Sequence, residues 1–249
     1  MKSMAKVVGV VASLHRDGLS KKLVSSALDG VSAANCEATL IHLSDYSIPQ
    51  WSDENVGKPE ELSKAFKGMG GLVFCAPVYY LDVNGMAKDF MDTVELPEVS
   101  GMPAMGIAVA GGTGKGLTSA LKTIYYWFFC KSMRGIDPLP VSRFNFEAAI
   151  GEARASGQKL AELAKSGPKP FRNLAEQIAY HQALPFMGYE FVDEIALLVR
   201  QLLDAPHRKE AGTEARAKKL FEKGNSLIEE GRKQEAVGPI VEAYEMLYY

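Results

Sequence analysis

Short apolar runs of strand length, each followed by a segment of helical period, restrict this chain more than any other feature. Val7 to Ala12 is a valine-rich run that suits a strand buried on both faces better than one with a wet side. Ser13 to Gly18 is then polar, and from Leu19 the positions Leu19, Leu23, Val24, Ala27, Leu28 and Val31 recur at helical spacing. The cycle repeats with a strand expected at Glu37 to Leu43, a polar stretch from Ser44 to Pro59 and a short helix from Glu60 to Lys67. A third strand, Gly71 to Ala76, is expected to end at Pro77, with a loop to Asn84 and a helix from Met86 to Val94. Ala104 to Ala110 opens a glycine-rich turn into a helix from Leu117 to Met133, and a weaker strand near Leu139 to Phe146 leads to a helix from Ala148 to Lys165. Parallel neighbours need long crossovers, so this alternation reads as an α/β protein with a parallel sheet and helices on both faces.

Such sheets bind ligands beyond the carboxyl ends of their strands. Three loops therefore matter: Ser13 to Ser20, Pro77 to Asn84, and Gly111 to Gly116. The first joins a strand to a helix N-terminus, where unpaired amides and the dipole favour an anion. The hydroxyls of Ser13 and Ser20 and the cations beside them suit a phosphate, with Asp17 expected to point outward; the alternative is that Ser20 only caps the helix. The dinucleotide pattern G-x-G-x-x-G is missing, since Gly9 and Gly18 lack its spacing. In the third loop Lys115 is followed by Gly116 and the glycine required five places before Gly114 is Val109, so a Walker P-loop is excluded. Its glycines would let backbone lie flat against a planar ligand, or simply turn. Taken alone, Tyr79 and Tyr80 in the second loop are more often packing residues, but beside the other two loops they would complete a pocket for an aromatic phosphate ester.

Lys and Arg total 28 against 30 Asp and Glu, which lacks the basic excess that supplies affinity for nucleic acid. No apolar run approaches the roughly 20 residues that span a bilayer, and the first run meets His15, Arg16 and Asp17 instead of a small-residue cleavage site. Neither a nucleic acid nor a membrane is expected as partner. Cys36, Cys75 and Cys130 form no C-x-x-C pair, so the expectation is buried, reduced thiols in a cytoplasmic protein. His42, His181 and His207 form no metal cluster either. The aromatics Tyr125 to Phe129 lie nearly all round their helix, implying deep burial or a subunit contact, and Trp51 is placed to cover a ligand edge, join a subunit contact or pack on the surface.

Gly167-Pro168-Lys169-Pro170 cannot continue a helix and divides the chain into residues 1–166 and a helical extension, 167–249. Helical patterns there run Phe171 to Leu184, Phe191 to Leu203, Glu214 to Glu230 and Gln234 to Leu247. Phe221, Gly224, Asn225, Gly231, Ala236, Ala243 and Tyr244 resemble a single tetratricopeptide-like helix pair. One repeat cannot bury its own face, which excludes a stacking array. It is read as an appendage packed on the core or on a second subunit, with recognition of a partner protein as the alternative.

The three loops together resemble those of the NAD(P)H-dependent FMN reductases and related flavodoxin-fold flavoproteins. Ala12-Ser13-Leu14-His15-Arg16-Asp17-Gly18-Leu19-Ser20 matches their G-S-x-R-x-x-(G)-x-[ST] loop, with Ala12 for Gly and His15 for Arg. Leu43, Asp45, Ile48 and Pro49 match L-x-D-x-x-I-P, while Pro77-Val78-Tyr79 followed by Val83, Gly85, Lys88, Phe90 and Asp92 match the most specific element. The resemblance implies a flavodoxin-like, doubly wound five-stranded parallel sheet of order 2-1-3-4-5, an FMN cofactor, and NADPH or NADH as electron donor. It implies that Ser13, His15, Leu19 and Ser20 hold the FMN phosphate, with Arg16 substituting for the missing arginine. Pro77, Val78, Tyr79 and Tyr80 would line the flavin ring, and Gly111, Gly112, Thr113 and Gly114 would border its other side. Such a flavin needs no dedicated acid or base, so no catalytic side chain is nominated. Electrons would pass to a flavin, a quinone or a protein, and the protein is expected to be a homodimer or homotetramer. Asp45 to Glu60 lacks the clustered cysteines of iron-sulfur relatives, and no cluster is expected. Two other readings stay open: an electron carrier without NAD(P)H activity, and an interaction module that has lost flavin.

Overall fold

The computed structural model describes residues 4–52, 54, 59–205 and 209–249; His207 lies outside them. Strand β1 (Lys6–Val11) leads into helix α1 (Leu19–Ala33), and β2 (Glu37–His42) is followed by α2 (Glu60–Ala65). Strand β3 (Met69–Tyr79) turns back into a two-residue strand β4 (Asp82–Val83) before α3 (Gly85–Thr93). Then come β5 (Pro103–Ala110), α4 (Leu117–Cys130), β6 (Arg134–Gly135), β7 (Leu139–Ser142) and α5 (Phe146–Lys165). The sheet runs β2-β1-β3-β5, with β6 and β7 both beside β5. Except for β4, every pairing is parallel. With β6 and β7 sharing the fifth position, this is the flavodoxin-like order 2-1-3-4-5.

Alternate residues of β1 explain the layers. Val8 and Val10 enter one core with Phe74, Phe90, Leu121 and Phe128, beneath α3 and α4. Val7 and Val11 enter the other with Leu23, Val24, Leu160 and Ala161, beneath α1 and α5. A strand covered on both faces must be apolar throughout. Helices α1 and α5 cross so closely that a Cβ on Gly157 would stand 1.9 Å from the Ala27 carbonyl oxygen.

Two expectations need correction. Pro77 does not end the third strand, which runs on to Tyr79. Strand β1 pairs with β3 only as far as Val11 opposite Cys75, and the Ala12 amide donates to Cys75, so the side of β3 that Pro77 shares with Cys75 has no further neighbour needing an N–H. The strand at Leu139 to Phe146 ends at Ser142, and its position is shared with β6. Across the break the Tyr125 hydroxyl accepts the Gly106 amide and donates to the Ile136 carbonyl, so a side chain replaces the missing ladder bonds. Of the α4 aromatics, Tyr125, Trp127 and Phe128 are buried whereas Tyr126 is exposed.

Beyond Pro170 the chain forms α6 (Leu174–Gln182), α7 (Phe191–Asp204), α8 (Ala211–Glu229) and α9 (Lys233–Tyr248). The α8–α9 pair closes on Gly224, where a Cβ would meet Ile240 at 2.5 Å. Leu198, Val199, Ala243, Tyr244 and Leu247 join the same core as α3 and α4. Among the described residues no helix is long and apolar enough to cross a membrane.

Candidate functional site

At the carboxyl edge of the sheet three connections come together, after β1, β3 and β5. In the first, Ser13 and Ser20 are buried whereas Leu14, His15 and Arg16 are exposed. The His15 amide donates to the Ser13 hydroxyl oxygen at 3.1 Å and Gly18 closes a turn onto the His15 carbonyl. Gly18 is the N-cap of α1, and no side chain caps that end. The first-turn amides of Leu19, Ser20 and Lys21 have no helical carbonyl to donate to, so this N-terminus is open to an anion. Ser20 is therefore not the cap; it lies beside the buried Cys75 thiol. Asp17 points outward and pairs with Lys21 at 2.8 Å, which holds its carboxyl below the usual range. Arg16 pairs with Asp45 at 2.5 Å, turned toward the end of β2.

The second connection is a hairpin, not an open loop. Val78 pairs with Val83 and Tyr79 with Asp82, leaving Tyr80 and Leu81 as the turn, both at positive φ (49° and 69°). That is the conformation of a two-residue primed turn, normally made by Asn or Gly. Pro77 and Val78 are half-buried, Tyr79 is exposed, and Tyr80 stands wholly in solvent.

In the third connection Gly111, Gly112 and Thr113 are exposed and Gly114 and Gly116 are buried. The Gly114 amide returns to the Gly111 carbonyl at 2.9 Å, while among the described residues nothing accepts the amides of Gly112 and Thr113. A Cβ at Gly111 or Gly112 would meet nothing within 4 Å, so the space beside these amides is open. Gly116 sits at φ 99°, and a Cβ there would strike Val78 and the Leu81 backbone at 2.5 and 2.6 Å, which seats the third connection against the hairpin.

The other helix starts along this edge vary, and α5, like α1, has no side-chain cap. Asn84 caps α3 through the Ala87 amide. At α4 the Gly116 amide and the Thr118 hydroxyl both donate to Glu194, a buried residue of α7. Sequence reasoning missed Glu194 because nothing local relates it to a loop 78 residues earlier; a buried glutamate in an apolar helical period was the available signal. The donor set fits a phosphate ester carrying a planar ring: uncapped amides at α1 for the anion, and two outward amides with open space for ring oxygens. Among the described residues His15 has no polar side-chain partner, and Trp51 is exposed.

The fold and this edge define a flavodoxin-like α/β protein with a candidate ligand site at the switch point of its sheet. The family model of the NADPH-dependent FMN reductases matches residues 5–138, more than half of the chain. The chain belongs to that family, a family of flavoprotein oxidoreductases. It is 25% identical over 188 residues to an iron-sulfur flavoprotein of Methanocaldococcus jannaschii, a match covering 64% of this chain and 97% of the relative. Its fold resembles that of an archaeal flavodoxin (TM-score 0.50, 18% identity, 65% and 99% covered). It also resembles an NAD(P)H:quinone oxidoreductase of Methanothermobacter marburgensis (0.51, 14% identity, 64% and 100% covered). Among the described residues no group of three or more His, Cys, Asp or Glu is placed to hold a metal ion.

Proposed function

We propose that this protein is an FMN-dependent oxidoreductase that takes hydride from NADPH or NADH and passes electrons to a flavin, quinone or protein acceptor. The observation that carries the reading is what meets at the carboxyl edge: an α1 start that no side chain caps among the described residues, beside the buried Ser13 and Ser20, and the Gly112 and Thr113 amides, which have no acceptor and border open space. Bound FMN supplies hydride acceptance and onward electron transfer; the protein supplies placement. Ser13, Leu19, Ser20 and the first-turn amides hold the phosphate, with exposed His15 at the rim. Arg16 reaches that phosphate only by leaving Asp45. Pro77 to Tyr80 present the hairpin to one side of the ring, and Gly111 to Gly114 present two unpaired amides to the other, where hydrogen bonds stabilise charge that develops on reduction. We assign this work to residues 1–166 in a cytoplasmic setting.

The test is the visible spectrum of the purified protein with added FMN, followed by anaerobic NADPH or NADH. Flavin bands that shift on binding and then bleach support the reductase. Bands that persist with nicotinamide yet bleach with dithionite make it an electron carrier, and no binding at all removes the flavin reading. The same preparation is expected to contain no stoichiometric iron or acid-labile sulfide, because its three cysteines are scattered: Cys36 and Cys75 are buried and Cys130 lies on α4.

A further inference from the structure

The connection that faces the flavin ring in this reading is fastened from behind by the C-terminal helices, and the fastening includes a buried carboxyl group. Glu194, in the first turn of α7, is 4% exposed and accepts the Gly116 amide through Oε1 and the Thr118 hydroxyl through Oε2. One turn on, Leu198 packs against Gly114, where a Cβ would lie 2.8 Å from its Cδ2. From α9 the Tyr244 hydroxyl donates to the Thr113 carbonyl at 2.9 Å. Three side chains of the extension thus hold residues 113 to 118. Among the described residues no Lys or Arg pairs with Glu194; the nearby Lys233 pairs with Glu190 and Asp193 instead.

We propose that Glu194 and Tyr244 are positioning residues of the flavin site: they lock the third connection with the Gly112 and Thr113 amides outward, and the unpaired Glu194 charge lowers the reduction potential of the bound flavin. Tying the Thr113 carbonyl to Tyr244 fixes the Thr113–Gly114 peptide plane. The Gly114 amide at the other end of that plane is turned inward onto Gly111, which leaves the two preceding amides as the donors on the open side. The charge acts because a reduced flavin holds more negative charge than an oxidised one, and repulsion from a buried carboxylate is weakly screened. Lys115, over the Tyr244 ring at 5.3 Å, is exposed and offsets it little. The potential part rests on the proposed function; the locking does not.

Backbone hydrogen exchange and the midpoint potential of bound FMN, measured on the full-length protein and on Glu194→Gln and Tyr244→Phe, test both parts. Losing one hydrogen bond speeds exchange about three- to tenfold, and this is expected at the Gly114 and Gly116 amides, the bonded ones of this connection, with residues 13–21 unchanged. Glu194→Gln keeps the volume and removes the charge, and is expected to favour reduced over oxidised FMN about tenfold, a rise of about 30 mV for a two-electron couple. Tyr244→Phe keeps the charge and loosens the amide donors, so its potential is expected not to rise, and it still tests the locking if Glu194→Gln does not fold. Wild-type exchange at Gly114 and Gly116 in the variants overturns the locking; an unmoved potential in Glu194→Gln overturns the charge effect. A wild-type protein that binds no FMN removes the flavin reading and the potential effect together, while exchange still decides the locking.

Discussion

Cys75 and Cys130 illustrate how position within an element sets a side chain's chemistry. Cys75 lies in β3 with no exposure, and burial pushes its thiol up to about 12 against the smaller, opposing hydrogen bond from Ser20. Burial also pushes the Cys36 thiol up. Cys130 is exposed at the end of α4, contrary to the expectation that all three thiols are buried. Helical spacing held the clue, since Cys130 follows exposed Tyr126 by four residues and shares its face; the apolar composition of Ile124 to Cys130 hid it. Thiolate is the reactive form, so a disulfide reagent at neutral pH is expected to modify one thiol quickly, and Cys130→Ser to remove that reaction. Rapid modification of two or three thiols in the native protein would contradict the burial of Cys75 and Cys36. At the site itself, Ser13 and Ser20 were legible from a strand-to-helix loop, but the tie between Arg16 and Asp45 was not, because it joins the ends of different strands.

Elements were legible where one period dominates and less so where a side chain substitutes for backbone. Strand β1 and helix α1 follow from their spacing alone. The extension of β3 past Pro77 and the split fifth strand depend on where neighbouring strands end and on the Tyr125 hydroxyl, neither of which leaves a local pattern. Helix α6 is docked by a similar long-range tie. Glu176 accepts the Arg172 amide, the Arg134 guanidinium and the Arg172 guanidinium, each at 2.9 Å. Arg134 also donates to the Lys169 carbonyl and stacks on Phe171 at 4.1 Å. These bonds hold the Glu176 carboxyl down at about 2, with the Arg172 amide contributing most. A depressed carboxyl stabilises the fold above its unfolded value and loses that contribution as pH falls through its folded value. The melting temperature of wild type is therefore expected to exceed that of Glu176→Gln at pH 6, with the gap closing between about pH 4.5 and pH 2. A gap that is constant across that window, or absent at pH 6, would show that the carboxylate does not anchor α6.

At the scale of the whole molecule, strand-helix alternation was enough for a parallel sheet covered on both faces, and the three candidate loops follow from where its strands end; the order 2-1-3-4-5 came from the family resemblance. What the extension does was not legible, because its contacts with the third connection join residues far apart in sequence: Glu194 to Gly116 and Tyr244 to Thr113. The same edge of the molecule remains apolar on its outer side. Leu14 is 63% exposed, Trp51 57% and Tyr80 104%, and Tyr79 and Leu81 add to the rim at the hairpin. Single exposed apolar residues are ordinary, but several from connections at one sheet edge mark an interaction surface. Tyr80 and Leu81 hold positive φ in a turn that neither Gly nor Asn relieves, a conformation that costs on the order of 1 kcal/mol or more per residue and persists where surrounding structure fixes it. A contact between two copies across this rim would account for both observations and would bring a second chain to the candidate site. Light scattering at micromolar concentration is therefore expected to give at least twice the 27.1 kDa of one chain. Tyr80→Gly separates the causes: it relieves the turn and removes the exposed ring, so a mass falling toward one chain with an unchanged or raised melting temperature places Tyr80 in the contact. A wild-type mass of one chain would leave this rim as a monomer's surface, open to an electron acceptor directly.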